Sequence, residues 1–186
     1  MNVSVFGGSQ PQPGDPAYAE AVELGRLIAL AGHTVLTGGY IGTMEAVSRG
    51  ASEAGGHVIG VTCKAIESWR SQAANSWVAE EWRTQSLLER LEVLIGRAEA
   101  CLALSGGPGT LTEVALCWNL MIIGSLPRRP LILIGDAWQT VFDQFLTTLG
   151  SYIPGSQRDL LRFSPSVASA VNLLQEEIIK SGAQHD

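Results

Sequence analysis

The residues whose types and spacing suggest chemistry are a single run, Ser105 to Glu113, SGGPGTLTE, and an arginine, Arg90, fifteen positions ahead of it. Three glycines in four positions, Gly106, Gly107 and Gly109, let backbone amides approach a bound group closely, and a helix starting there adds the positive end of its dipole. Such a loop suits a phosphate, with Thr110 as a further amide donor. It is not a Walker loop, because no Lys-Ser or Lys-Thr follows the glycines, and it lacks the GxGxxG spacing of a dinucleotide fingerprint. A purely structural reading stands beside this one. Thr110 and Glu113 also have the spacing of a capping box, in which each side chain satisfies an orphan amide at a helix start.

Arg90 lies in LLERLEVLIGRAEA, whose Leu87, Leu88, Leu91, Leu94 and Ile95 make one helical face; Arg90 falls just beside that face. Taken alone it reads as a surface arginine that snorkels. Two other glycine loops follow apolar runs. FGGSQ offers Gly8 and Ser9, and TGGYIGT offers Gly38, Gly39, Gly42 and Thr43, either as a tight strand-to-helix turn or as a second anion loop. His33, His57 and His185 have no metal-ligand spacing, and no serine or cysteine sits in a nucleophile elbow, so neither a metal nor a cofactor is expected.

The elements that must position these residues alternate between short aliphatic runs and stretches of helical period. Strands are expected at 2–6, 33–37, 57–61, 100–104, 131–135 and around 160–163. Helices are expected at 16–31, 43–54, 86–97, 111–124, 138–149 and 165–180. This order predicts an α/β fold, a Rossmann-like doubly wound parallel sheet of about six to seven strands flanked by helices on both faces. Ligands of such sheets bind beyond the carboxyl ends of the strands, so the three glycine loops should converge on one crevice. Residues 63–81, holding Trp69, Asn75 and Trp77, lack a clear period and read as an excursion over the surface, a lid. Helix 111–124 is apolar on nearly every face, which makes it a core helix whose outer side a second copy of the chain would cover in a homodimer.

At 186 residues the chain is expected to form one domain, 1–186, burying roughly 70% of its unfolded surface. A net charge of -6 argues against a polymeric nucleic acid as partner, while local dipoles still permit a small phosphorylated ligand. The three cysteines, Cys63, Cys101 and Cys117, form no CxxC pair, which fits a reducing cytoplasm. MNVSVFGGSQ reads as a first strand, not a signal peptide, and no apolar run reaches membrane-spanning length.

Three blocks together resemble the LOG (LONELY GUY) family, often labelled "lysine decarboxylase-like". SGGPGTLTE is similar to its PGGxGTxxE, TGGYIGTMEAVSRGASEAGGHVIGV to its GGGxxGxMEAxxRGAxEAGGxxIGV, and VFGGSQ to its VFxGS opening. The resemblance implies a phosphoribohydrolase that cleaves the N-glycosidic bond of a purine or cytokinin nucleoside 5′-monophosphate, such as AMP, to free base and ribose 5-phosphate. It implies Arg90 and Glu113 as the catalytic pair, the glycine loops as the phosphate site, and Asn75 and Trp77 as contacts to base or ribose. Arg90 beside Glu113 is expected to favour the ionised carboxylate, a base or electrostatic stabiliser and not a proton donor. Two positions depart from the pattern: Ser105 replaces the motif proline, and Leu91 replaces a lysine after the arginine. A non-catalytic carrier of a nucleotide or molybdopterin on the same fold is the alternative. Lysine decarboxylation is excluded, since Lys64 and Lys180 are the only lysines and neither lies in a motif that would hold pyridoxal phosphate.

Overall fold

A computed structural model of the chain describes residues 1–70 and 72–182. His185 lies outside the described residues. The elements run β1 (Asn2–Phe6), α1 (Pro16–Leu30), β2 (Thr34–Thr37), α2 (Thr43–Glu53), β3 (Val58–Cys63), α3 (Lys64–Arg70) and β4 (Glu80–Thr84). There follow α4 (Leu87–Gly96), β5 (Ala100–Ala103), α5 (Pro108–Ile122), β6 (Leu131–Ile134) and α6 (Asp136–Leu149). A 3₁₀ turn at Gly150–Tyr152, α7 (Gly155–Arg158), β7 (Arg162–Ser164) and α8 (Val167–Gly182) complete the order.

The seven strands form one parallel sheet in the order β4-β3-β2-β1-β5-β6-β7. This is the expected Rossmann-like α/β arrangement. The order reverses between β1 and β5, so the loops leaving those two strands diverge to opposite faces and open a crevice between them. Alternation along the strands feeds two cores. Val3, Val5, Leu102 and Ile132 pack against Leu24 and Ile28 of α1, Val47 of α2 and Leu174 of α8. Phe6, Cys101 and Leu133 pack against Ile95 of α4, Val114 and Trp118 of α5, and Trp138 and Phe142 of α6. Strands buried on both faces carry continuous apolar runs, which is why LILI at β6 is legible as a strand.

Several boundaries differ from expectation. The segment read as a surface excursion contains α3 and the first two residues of β4. EEWRT hides its strand character because β4 is the sheet's edge, where charged side chains face water and block pairing with another chain. The last strand is Arg162–Ser164, shifted from 160–163, because Leu160 and Leu161 are buried in the second core just ahead of it. Helix α5 starts at Pro108, earlier than Leu111, with proline at the position where a missing amide proton costs nothing. Among the described residues, no helix is long and apolar enough to cross a membrane.

Candidate functional site

The three glycine loops meet through their backbones. Gly8 N–H donates to the Ser105 carbonyl at 3.1 Å, and the Gly8 carbonyl accepts from Thr43 N–H at 2.9 Å. The loop after β1 is thereby tied to the starts of both α2 and α5. Thr43 and Thr110 are buried, Ser9 is half-buried, and Gly42, at φ 71°, is the N-cap of α2.

The start of α5 does not form the capping box that Thr110 and Glu113 suggest. Gly107 is the N-cap, with no side-chain cap bond, and the first bond into the helix runs from Leu111 N–H to the Gly107 carbonyl at 3.0 Å. The amides of Gly109 and Thr110 precede that bond and have no acceptor within the helix. Amides left open in this way, together with the positive end of a helix dipole, favour an anion. Thr110 supports the loop instead of capping it: a Cβ on Gly106 would lie 2.1 Å from Thr110 Oγ1, so the turn closes only with glycine there.

Glu113, one turn inside α5, faces Arg90. Arg90 Nη1 lies 4.0 Å from Glu113 Oε1, and Arg90 is buried at 6% exposure. It is not the snorkelling surface residue that its position beside the apolar face suggests. Its Nε donates to the Val61 carbonyl at 2.8 Å, Nη2 contacts Met44 Sδ at 3.8 Å, and the guanidinium stands 5.6 Å from the centre of the Tyr40 ring. That last contact is a cation–π geometry. Gly38 leaves room for all of this, since a Cβ at that position would sit 1.8 Å from Arg90 Nη2. The helix carrying Arg90 has its own cap: Ser86 Oγ accepts from Glu89 N–H at 3.2 Å while Glu89 Oε2 accepts from Gln85 N–H at 2.7 Å. The Ser-x-x-Glu spacing of Ser86 and Glu89 was the sequence signal for it.

The electrostatics of the pair reverse the expectation from charge alone. Burial pushes the Glu113 carboxyl up to about 7, and the Arg90 charge only partly opposes this. Burial also holds Arg90 below its ordinary value, against the pull of Glu113. Desolvation thus outweighs the ion pair, and Glu113 is poised to exchange a proton near neutrality.

The Asn75 amide is bonded to the backbone of two neighbouring segments. Its Nδ2 donates to the carbonyls of Gly39 at 3.0 Å and Tyr40 at 2.9 Å, and its Oδ1 accepts from Trp77 N–H at 3.1 Å. Its own N–H also reaches the Gly39 carbonyl, at 2.8 Å. Through these bonds Asn75 clamps the loop that shapes the Arg90 pocket. Trp77 is half-buried, with the Arg49 guanidinium 5.9 Å from its ring centre. The residues missed by sequence reasoning are Tyr40 and Met44, which look like loop and helix filler until α4 is folded over them. Tyr40 is held in place by β3, its hydroxyl accepting from Cys63 N–H at 2.7 Å and donating to the Cys63 carbonyl at 3.1 Å. Of the departures, Leu91 is buried at 5% exposure, and Ser105 contributes its backbone carbonyl to the Gly8 contact. Among the described residues, no group of three or more His, Cys, Asp or Glu is placed to hold a metal ion.

A doubly wound parallel sheet with a buried Arg–Glu pair beside its switch point defines a Rossmann-like α/β protein. Within that class the chain belongs to the SLOG cluster4 family, whose model matches residues 1–149. It is 32% identical over 181 residues to a probable cytokinin riboside 5′-monophosphate phosphoribohydrolase, LOGL9, of Oryza sativa subsp. japonica, covering 95% of this chain and 78% of that one. A Mycobacterium tuberculosis protein named cytokinin riboside 5′-monophosphate phosphoribohydrolase is 31% identical over 128 residues, covering 66% of each. Among solved structures, the molybdenum cofactor binding protein of Rippkaea orientalis superposes with a TM-score of 0.75 at 27% identity, covering 95% of this chain and 96% of that one. The molybdenum cofactor carrier protein of Chlamydomonas reinhardtii gives 0.72 at 26%, covering 96% and 98%.

Proposed function

We propose that the protein is a phosphoribohydrolase that cleaves the N-glycosidic bond of a purine or cytokinin nucleoside 5′-monophosphate, without a metal. The observation that carries this reading is the buried Arg90–Glu113 pair, at 4.0 Å, one helical turn inside the amides that can seat a phosphate. The phosphate, held by the amides of Gly107, Gly109 and Thr110 with the loops of Gly8, Ser9, Gly42 and Thr43 around it, fixes the sugar so that the anomeric carbon meets Glu113. Binding energy from this remote group is thereby turned into orientation. As the C1′–N bond breaks, positive charge grows on the ribose and the ionised carboxylate stabilises it. Water adds its oxygen to C1′, Glu113 takes the proton that water releases, and the departing base gains one in turn. With a carboxyl near 7, Glu113 can do both halves of this transfer at neutral pH. Arg90 holds the carboxylate in place and partly ionised.

The exposed Leu87 and Leu88 of α4 and Leu111 of α5, with Ile123 at the end of α5, support a homodimer that covers this apolar surface. Three buried free thiols fit a reducing, cytoplasmic setting. The second reading, a non-catalytic carrier of a molybdopterin-type cofactor, is favoured by the two cofactor-binding neighbours, which match nearly the whole chain, and by the altered Ser105 and Leu91. Incubation with AMP and with isopentenyladenosine monophosphate, following free base by chromatography, separates the two. Release of base that is lost in Glu113→Ala supports the hydrolase; saturable binding without turnover across a nucleotide panel supports the carrier.

A further inference from the structure

The loop after β2 reads Gly38-Gly39-Tyr40-Ile41-Gly42, and its turn asks for glycine at positions 39 and 42, where φ is 76° and 71°. It makes no such demand at position 40, yet a tyrosine stands there with 3% of its surface exposed. Both ends of Tyr40 are fixed. Its carbonyl accepts from Asn75 Nδ2 at 2.9 Å, and its hydroxyl accepts from Cys63 N–H at 2.7 Å while donating to the Cys63 carbonyl at 3.1 Å. A buried phenol bonded both as donor and as acceptor is held in one orientation.

That orientation sets the ring against Arg90, with 5.6 Å from the ring centre to the guanidinium carbon. Arg90 Nε donates to the Val61 carbonyl, so β3 anchors both members of the contact, two residues apart. Held at Nε alone, the guanidinium would be free to pivot and carry Nη1 toward or away from Glu113. Met44 Sδ, 3.8 Å from Nη2, is a weak acceptor and a poor second hold. The ring face is a stronger one, since a cation over an aromatic face gains most where both are desolvated. Burial raises the phenol above its ordinary value, so the ring is neutral at neutral pH.

We propose that Tyr40 is a positioning residue: it fixes the Arg90 guanidinium at its 4.0 Å separation from Glu113, and so decides how much of that positive charge the carboxylate feels. Its effect on rate rests on the hydrolase reading; its effect on the carboxyl does not. Arg90 is the charge that opposes the rise of the Glu113 carboxyl to about 7, so a guanidinium that swings away lets the carboxyl rise further. At neutral pH less of Glu113 is then ionised. Ionisable side chains also face this cluster from β3, β5 and α3, namely Cys63, Cys101 and Glu67.

The test follows the Glu113 carboxyl carbon by carbon-13 NMR from pH 5 to 9, beside the rate of base release, in the whole chain and in its Tyr40→Leu and Tyr40→Phe variants. Tyr40→Leu removes the ring face, and Tyr40→Phe only the hydroxyl. In Tyr40→Leu the carboxyl is expected to titrate at higher pH than in the unchanged protein, and in Tyr40→Phe no higher than in Tyr40→Leu. Base release at pH 7 falls about tenfold in Tyr40→Leu, the scale of a desolvated cation–π contact, and the deficit narrows toward pH 9. Leu24→Ala, on α1 in the other core, lowers stability without moving the carboxyl, which separates a lost position from a lost fold. Should Tyr40→Leu not fold, an upward movement in Tyr40→Phe decides in its place. A carboxyl that titrates in every folded variant where it does in the unchanged protein, or that moves further in Tyr40→Phe than in Tyr40→Leu, refutes the role. A carboxyl that moves as expected in a protein that releases no base leaves the role of Tyr40 standing and removes the hydrolase.

Discussion

Arg90 Nη1 stands 4.0 Å from Glu113 Oε1, with the two side chains only 7% and 12% exposed. That separation exceeds a hydrogen bond, so charge reaches the carboxylate while its oxygens stay available to water or sugar. Burial raises the carboxyl to about 7 despite the arginine. A group placed in this way can act as base and acid within one turnover.

Replacing Glu113 by Gln should lower kcat by about 10²–10⁴-fold, in the range expected for a general acid–base group, while leaving nucleotide binding largely intact. Turnover by the unchanged protein should vary with pH through a group near 7. Stopped-flow or chromatographic rates between pH 5 and 9 check this, and a profile whose limb near 7 survives in Glu113→Gln would rule Glu113 out as its source.

The same group sets a pH dependence of stability. Its carboxyl rises from an ordinary 4.5 to about 7 on folding, so between those values the folded chain binds more protons than the unfolded one. Stability therefore falls as pH rises from about 4.5 through about 7 and levels off above. Urea unfolding across that window should follow this course in the unchanged protein and follow it less steeply in Glu113→Gln.

Gly38→Ala would push a methyl into Arg90 Nη2, which its Cβ would approach to 1.8 Å. The expected result is a folded protein, destabilised by about 1–3 kcal/mol from overpacking, with kcat reduced at least tenfold because Arg90 is displaced. Circular dichroism with thermal melts, read beside the base-release assay, measures both. Full activity in this variant would mean that Arg90 does not need its present position.

Asn75→Ala leaves the Gly39 and Tyr40 carbonyls without their side-chain donor and frees the chain segment that Asn75 ties to them. A loss of about 1–3 kcal/mol is expected in chemical denaturation. Asn75→Asp cannot donate and should behave similarly, whereas a residue that only touched the base would alter KM without altering stability.

Leu88, 77% exposed on α4, belongs to the apolar surface proposed for a second copy. Leu88→Glu should shift the mass measured by light scattering on a sizing column from that of a dimer to that of a monomer, with little change in secondary structure. A dimer that persists would place the interface elsewhere.

Most of the architecture is set by local pattern. Apolar runs such as NVSVF and LILIG are strands because both of their faces must be buried, and glycine at the starts of α2 and α5 is legible because only close backbone approach calls for so many. The family resemblance adds Arg90 and Glu113 as a pair. Tertiary structure alone decides how that pair behaves. The spacing of Thr110 and Glu113 is that of a capping box, yet Gly107 and Pro108 begin the helix and Glu113 is turned inward to Arg90. Asn75 lies in a stretch without period, and its clamp on Gly39 joins residues 36 positions apart, which no local pattern records. Charge alone predicts an ionised Glu113; its displacement to about 7 comes from desolvation, a property of everything packed around the group and not of its neighbours in the chain.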